Sequence, residues 1–194
     1  MITVAEETKG PAAAEPWIRA ANPHHPSLLD ERHLVAELYN TRNVPAAFWI
    51  DERGRIVRAN DAVSARRRNR ETGETSINER YLNAVRDWVD KGPKSIYLQD
   101  PQALQSRKGI LPKEEVQAMA SFRLGVYLHQ QGHPQDAIAH FKQAQQLSPK
   151  NWNYKRQAWN LGDADRDYGT NYQKAAQDPA NLPASLPVEL PDPA

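Results

Sequence analysis

Apolar and polar positions change their period along this chain of 194 residues. Ile2-Thr3-Val4-Ala5 predicts a short buried strand, and Ser27-Leu28-Leu29 a second, reached through the extended run Pro23-His24-His25-Pro26. Between them Pro11 to Ala21, with Trp17 and Ile18, predicts a weak helix. Asp30 stands where it can cap a helix whose Leu34, Val35, Leu38 and Tyr39 form one stripe, and Asn40 suits its left-handed exit. The apolar run Val44-Pro45-Ala46-Ala47-Phe48-Trp49-Ile50 predicts a strand covered on both faces. Asp51-Glu52-Arg53-Gly54 then predicts a type I turn with a bulge, and Arg55-Ile56-Val57-Arg58 an antiparallel return. After an arginine-rich loop, Ser76 and Glu79 have capping-box spacing. Ile77, Tyr81, Val85 and Trp88, with Leu82 and Val89 beside them, predict a helix that Gly92-Pro93 ends.

Beyond that break helical periodicity takes over. Asp100-Pro101 can start a short helix. A longer one begins at Pro112 with Val116, Ala120, Leu124, Tyr127 and Leu128 as its apolar stripe. Gly132 ends it, and Pro134 opens a partner carrying Ala137, Ile138, Phe141, Ala144 and Leu147, which Pro149 stops. A third helical segment spans Asn151 to Leu161, with Trp152, Tyr154, Ala158 and Trp159. Pro179, Pro183, Pro187, Pro191 and Pro193 then deny helix and central strand alike, so the chain from about Asp178 reads as an extended tail.

Composition narrows the chemistry. Twenty-five Lys and Arg against 24 Asp and Glu leave a net charge of +1, which creates no general field for nucleic acid or an anionic membrane. Cysteine is absent, and with it disulfides, thiolate nucleophiles and cysteine-based metal sites. No apolar run is long enough to span a bilayer and no basic, apolar leader stands at the start, so the chain reads as soluble and cytoplasmic.

The series Leu124-Gly125, Gly132, Ala137, Phe141, Ala144 and Pro149 resembles a tetratricopeptide repeat. On that reading Gly125 and Ala137 let two helices approach while Leu124 and Phe141 fill the space between them. Ser121 and Leu128 depart from the family's usual aromatics. One repeat cannot bury its own apolar face, so it must pack on flanking segments or on another chain.

The block from Leu34 to Arg58 resembles the later half of a thioredoxin-fold domain of the redoxin branch, through Tyr39, Val44, Pro45, Phe48, Ile50, Asp51, Gly54 and Ile56-Val57. The resemblance covers residues 1–92. It implies that Ile2-Thr3-Val4 follows an active-site helix, that the helix from Ile77 to Lys91 closes the domain, and that the Val44–Pro45 bond is cis beside a peptide-binding groove. Family members exchange disulfides through a Cys-x-x-Cys pair, and this chain has no cysteine. Thiol–disulfide exchange needs a thiolate, so the polypeptide cannot run it. The central strand of such a sheet is also missing. Ile2–Val4 then pairs directly with Val44–Ile50, or the absent segment lies upstream of Met1, or another chain supplies it.

Other constellations favour structural roles. Asp163, Asp165 and Asp167 alternate as in a calcium loop, but Tyr168 stands where glycine is needed and Lys174 where glutamate is. His24 and His25 diverge in an extended segment, and Gly132 separates His129 from His133. Arg66, Arg67, Arg68 and Arg70 lack interleaved aromatics and read as a solvated loop. Phe48, Trp49, Tyr81 and Trp88 read as core.

The expectation is a partial thioredoxin-like α/β domain over 1–92, a linker over 93–111, tetratricopeptide-like helices over 112–162 and a mostly disordered proline-rich tail over 163–194. Its expected function is non-catalytic binding of a protein or peptide, with no catalytic, cofactor or metal residues. The candidate surfaces are a groove at Val44 and Pro45 and a helical face at Trp152, Tyr154 and Trp159. Neither nucleic acid nor membrane is an expected partner, and self-association through the helical repeat or the incomplete sheet stays open. The alternative is the C-terminal portion of a redoxin-type thiol–disulfide oxidoreductase.

Overall fold

A computed structural model describes residues 1–61, 66–69, 72–106, 111–178 and 190–192. In chain order its elements are β1 (Thr3–Glu6), α1 (Pro11–Ala21), β2 (Ser27–Asp30), α2 (Leu34–Leu38), β3 (Ala47–Ile50), β4 (Ile56–Asp61), β5 (Arg66–Arg68) and β6 (Thr75–Ile77). There follow α3 (Glu79–Lys91), a single 3-10 turn at Gly92–Lys94, α4 (Pro101–Ser106), α5 (Lys113–Gln130), α6 (Pro134–Leu147), α7 (Trp152–Leu161), α8 (Ala164–Tyr168) and α9 (Tyr172–Gln177). Among the described residues the strands form three separate two-stranded ladders. β1 therefore does not pair with β3. It lies parallel to β2 with Val4 opposite Leu28, in a right-sized crossover through α1.

The chain gathers into two compact units, residues 1–42 with 111–184 and residues 43–110 with 185–194. That grouping cuts across the expected break at Gly92-Pro93, because the loop after α2 bonds to α7. The backbone N–H groups of Trp152 and Asn153 both donate to the Arg42 carbonyl, at 2.7 and 3.2 Å.

In the first unit Asp30 does cap α2, accepting the Val35 N–H at 2.6 Å, and Asn40 takes the left-handed conformation at its exit. The antiparallel hairpin of α5 and α6 supplies the main core: Phe122, Val126, Ala137, Phe141, Ala144 and, from α7, Ala158. The phase of α5 differs from the one read in its sequence. Ala118, Ser121, Phe122, Gly125 and Val126 are buried, whereas Leu124 is 42% and Tyr127 58% exposed, and Val116 also faces out. Small residues decide this. A Cβ on Gly125 would sit 2.7 Å from two ring carbons of Phe141, so α6 reaches α5 only along the line that carries Gly125 and Ala118. Phe122, not Leu124, fills the gap with Phe141, their rings 5.7 Å apart.

Residues 163–178, expected within the tail, instead form α8 and α9. Asp163 and Asn171 cap them through their side chains, and Ala175 joins Trp152 and Trp159 in a second small core. The proline-rich stretch 179–189 lies outside the described residues.

The second unit is built on the β3–β4 hairpin, whose turn is held by Asp51. Its Oδ1 accepts the N–H groups of Arg53 and Arg55, and its carboxylate pairs with the Arg55 guanidinium at 2.6 Å. Trp49 is buried, Phe48 half-buried and Ile50 exposed, so β3 is covered fully on the Trp49 face and only in part on the other. Trp49 stacks on Trp88 at 5.1 Å, donates its indole N–H to the Tyr81 hydroxyl at 3.2 Å, and packs with Ala84 and Tyr97. Tyr97 comes from the expected linker; Ser95 anchors that stretch through Asp87 at 2.7 Å. The arginine-rich loop is in part a second hairpin, β5 with β6, while the side chains of Arg66, Arg67, Arg68 and Arg70 lie outside the described residues. Ser76 therefore belongs to a strand, and Asn78 is the residue that caps α3, accepting the Tyr81 N–H. Ile77 is exposed, since it precedes the helix whose buried face it was expected to join.

Candidate functional site

A small cleft lies within the first unit among α2, α5 and the start of α7. Its walls follow from local chemistry. Asn151 caps α7 by accepting the N–H groups of Asn153 and Tyr154, at 3.1 and 3.3 Å. This aims Asn153 at the loop after α2, where its Nδ2 donates to the Thr41 carbonyl at 2.7 Å. The Asn153 Oδ1 has no hydrogen-bond partner among the described residues although the side chain is buried. Tyr154 stacks on Phe122 with centroids 4.4 Å apart.

Charge around the cleft is balanced by local pairs. Arg123 meets Glu37 at 2.7 Å, and Arg42 lies 3.5 Å from Glu115, which also accepts from the Ser148 hydroxyl at 2.9 Å. Burial, and then the carboxylates of Glu115 and Glu37, push the Tyr154 phenol up to about 12. It is therefore a hydrogen-bonding hydroxyl and not a general base at neutral pH.

His33, in a left-handed conformation at the start of α2, forms the floor. Its Nε2 lies 2.9 Å from the Thr8 hydroxyl, its Nδ1 3.1 Å from Glu6 Oε2, and its ring meets Phe122 edge-on at 5.3 Å. Hydroxyl, imidazole and carboxylate stand in the order of a nucleophile, its base and an orienting acid. Yet Thr8 and His33 are each only 5% exposed, and Thr8 does not line the cleft. No substrate carbon can reach that hydroxyl. The trio ties β1 and α2 to the helices, which is a packing task.

Of the residues singled out in the sequence, Tyr154 lines this cleft. Trp152 and Trp159 do not form an open face: they are 3% and 7% exposed, T-stacked at 6.1 Å, with Tyr172 of α9 set edge-on against Trp152. The reason is that α9 folds over them where a tail was expected. Val44 and Pro45 belong to the second unit, just before β3. Their peptide bond is cis, Val44 is half-buried and Pro45 is exposed. Deeper in that unit Arg58 is buried, its guanidinium 5.5 Å from the Trp49 ring and donating to the Tyr97 carbonyl at 2.7 Å. His33, Asn153, Glu37 and Arg123 were not singled out. Asn151-x-Asn153 at a helix start was the one signal that could have marked two of these walls.

No cluster of three His, Cys, Asp or Glu suited to a metal occurs among the described residues, and none of their helices is long and apolar enough to cross a membrane. A family model of the tetratricopeptide repeat matches residues 118–151, which is most of α5, all of α6 and the turn into α7. No curated protein and no solved structure matches the chain.

Proposed function

We propose that this chain is a non-catalytic protein-binding module that holds a protein or peptide partner on its first unit, over the cleft bordered by α5 and α7. The observation that carries this reading is the tetratricopeptide repeat at 118–151, a type of repeat that suggests protein–protein interaction. Arg123 and the hydroxyl of Tyr154, both on its walls, give the cleft polar groups suited to a backbone amide. A subsidiary surface is the exposed Pro45 beside Val44, just before β3.

Quantitative affinity capture from cells, with the full chain as bait, tests the reading. Arg123→Asp and Asn153→Ala alter the cleft walls, Pro45→Gly alters the second surface, and Val89→Asp on the exposed side of α3 serves as control. A partner set lost with the cleft variants and kept with the control supports the proposal. Identical profiles for all four would remove it.

A second reading has one observation in its favour, the order of elements. Apart from the additional hairpin of β5 and β6, a parallel strand–helix–strand crossover, a short helix, an antiparallel hairpin and a helix follow one another through residue 91. That is the order which the resemblance to the later part of a redoxin domain implies. The reading frame upstream of Met1 is its test: a strand followed by a Cys-x-x-Cys pair would support it, and a stop codon directly upstream would end it. With no cysteine, the chain itself should show no disulfide-reductase turnover.

A further inference from the structure

Leu190, Pro191 and Asp192, expected within the tail, lie against the second unit. Leu190 is half-buried on the cluster of Trp49, Tyr81, Ala84 and Tyr97. Arg80, in the first turn of α3, reaches the same segment with a single nitrogen. Its Nη2 donates to the Leu190 carbonyl and, at 2.9 Å, to Asp192 Oδ1. The guanidinium thus spans Pro191, which has no N–H to leave unpaired and whose ring, by fixing φ, lowers the entropy lost on ordering. A cation in the first turn of a helix opposes the helix dipole, and the carboxylate beside it offsets that. Side chain, carbonyl and carboxylate make three points of recognition on three consecutive residues.

The sequence shows why this segment is seated and not a neighbour. Leu-Pro recurs at a period of four, as Leu182-Pro183, Leu186-Pro187 and Leu190-Pro191. The residues that follow are Ala184, Val188 and Asp192. An apolar anchor alone cannot tell the three apart. Only the third joins the dipeptide to an acid, and that acid is the one paired with Arg80. The contact is nevertheless small. The Asp192 side chain is 91% exposed and that of Arg80 49%, so water screens the pair and it contributes little by itself. Covalent attachment compensates, because a short tether presents its end at an effective concentration of about 1 mM or more.

We propose that the Arg80 side of α3 is a recognition site for an extended Leu-Pro-acid segment, and that residues 190–192 are its resident ligand. The chain holds its own occupant there by the tether, and a like segment in trans competes for the same place. This rests on contacts within the second unit and is independent of the cleft on the first.

Fluorescence anisotropy of a labelled peptide of residues 188–194, titrated with the full chain, tests it. A chain carrying Leu190→Ser and Asp192→Ser has emptied the site, and should bind the peptide about tenfold more tightly than the parent, whose own segment competes. In that background Arg80→Asp should weaken binding about tenfold or more, and a peptide carrying Asp192→Lys should recover it. Should the double variant fail to fold by circular dichroism, Asp192→Lys alone replaces it, with an expected gain of about threefold. The proposal is overturned if the emptied chain binds no peptide at about 1 mM, or no more tightly than the parent. It is overturned equally if Arg80→Asp leaves binding unchanged, or binds the Asp192 and Asp192→Lys peptides alike, because an unselective apolar contact would then account for the seat of Leu190.

Discussion

Replacing Gly125 by alanine probes the contact on which the helical hairpin is built. The new Cβ would stand 2.7 Å from Cδ1 and Cε1 of Phe141 and 3.1 Å from its Cζ. Carbon atoms sit comfortably at about 3.5–4.0 Å, so the ring or the helix must yield by roughly 0.8 Å. Phe141 is 2% exposed and its ring is hemmed in by Phe122, which leaves little room for that movement. Overpacking of a tight core costs about 1–3 kcal/mol, while alanine in place of glycine inside a helix returns about 1 kcal/mol. The closed packing places Gly125→Ala in the upper part of that range, a net loss of about 1–2 kcal/mol. For a chain of this size that is about 2–4 °C of Tm per kcal/mol. Urea unfolding followed by far-UV circular dichroism reads the change. The partner measurement is a cycle with Phe141→Leu, which lacks the Cε and Cζ atoms. In that background the loss should shrink by about 1 kcal/mol or more. A Gly125→Ala chain that unfolds at higher urea than the parent, showing only the helical gain, would refute the close approach of α5 and α6.

Other expectations follow from single groups. His33→Ala leaves the buried Thr8 hydroxyl without its hydrogen-bond partner, and should cost about 1–3 kcal/mol by the same unfolding measurement. Lys155 is buried with its ammonium 5.8 Å from the Trp152 ring, and burial, then Lys150, hold its pKa below the ordinary lysine value. Because the folded pKa lies below the unfolded one, stability should rise with pH between that lowered value and 10.5, and Lys155→Met should flatten the rise. Tyr154 acts in the opposite sense: its folded pKa of about 12 exceeds the model-compound 10.0, so stability it contributes is complete below pH 10 and is lost toward pH 12. An ultraviolet phenolate titration should show a late step that Tyr154→Phe removes. Of the five tryptophans, Trp17 is 79% exposed while Trp49, Trp152 and Trp159 are buried, so Trp17→Phe should remove most of the acrylamide-quenchable fluorescence.

The cleft shows where sequence reasoning reached its limit. Tyr154 was singled out as an aromatic on a terminal helix, but its neighbours in space, His33, Glu37 and Arg123, come from segments about 30 to 120 positions away. Each looks like an ordinary polar surface residue in its own segment. Nothing local distinguishes the buried His33 from the five other histidines, because its burial depends on Phe122 arriving from α5. Trp152 and Trp159 failed in the other direction. Their local pattern was legible, and their covering by α9 was not, since a short helix capped by Asn171 carries too few apolar positions to show a period.

Local chemistry settled much of this protein before folding is considered. Proline and glycine positions mark where α5 ends and α6 begins, Asp30 and Asn40 bound α2, the Asp51–Gly54 turn joins β3 to β4, and the lack of cysteine removes thiol chemistry. These are effects of a residue on its own backbone or on a neighbour a few positions away. Which face of α5 turns inward was open, because apolar side chains occur on both. The choice fell to Gly125 and Ala118, whose small size lets another helix approach, and so Leu124 and Tyr127 were left outside despite being the more hydrophobic. Packing density between elements, unlike periodicity within one, exists only once the partner has arrived.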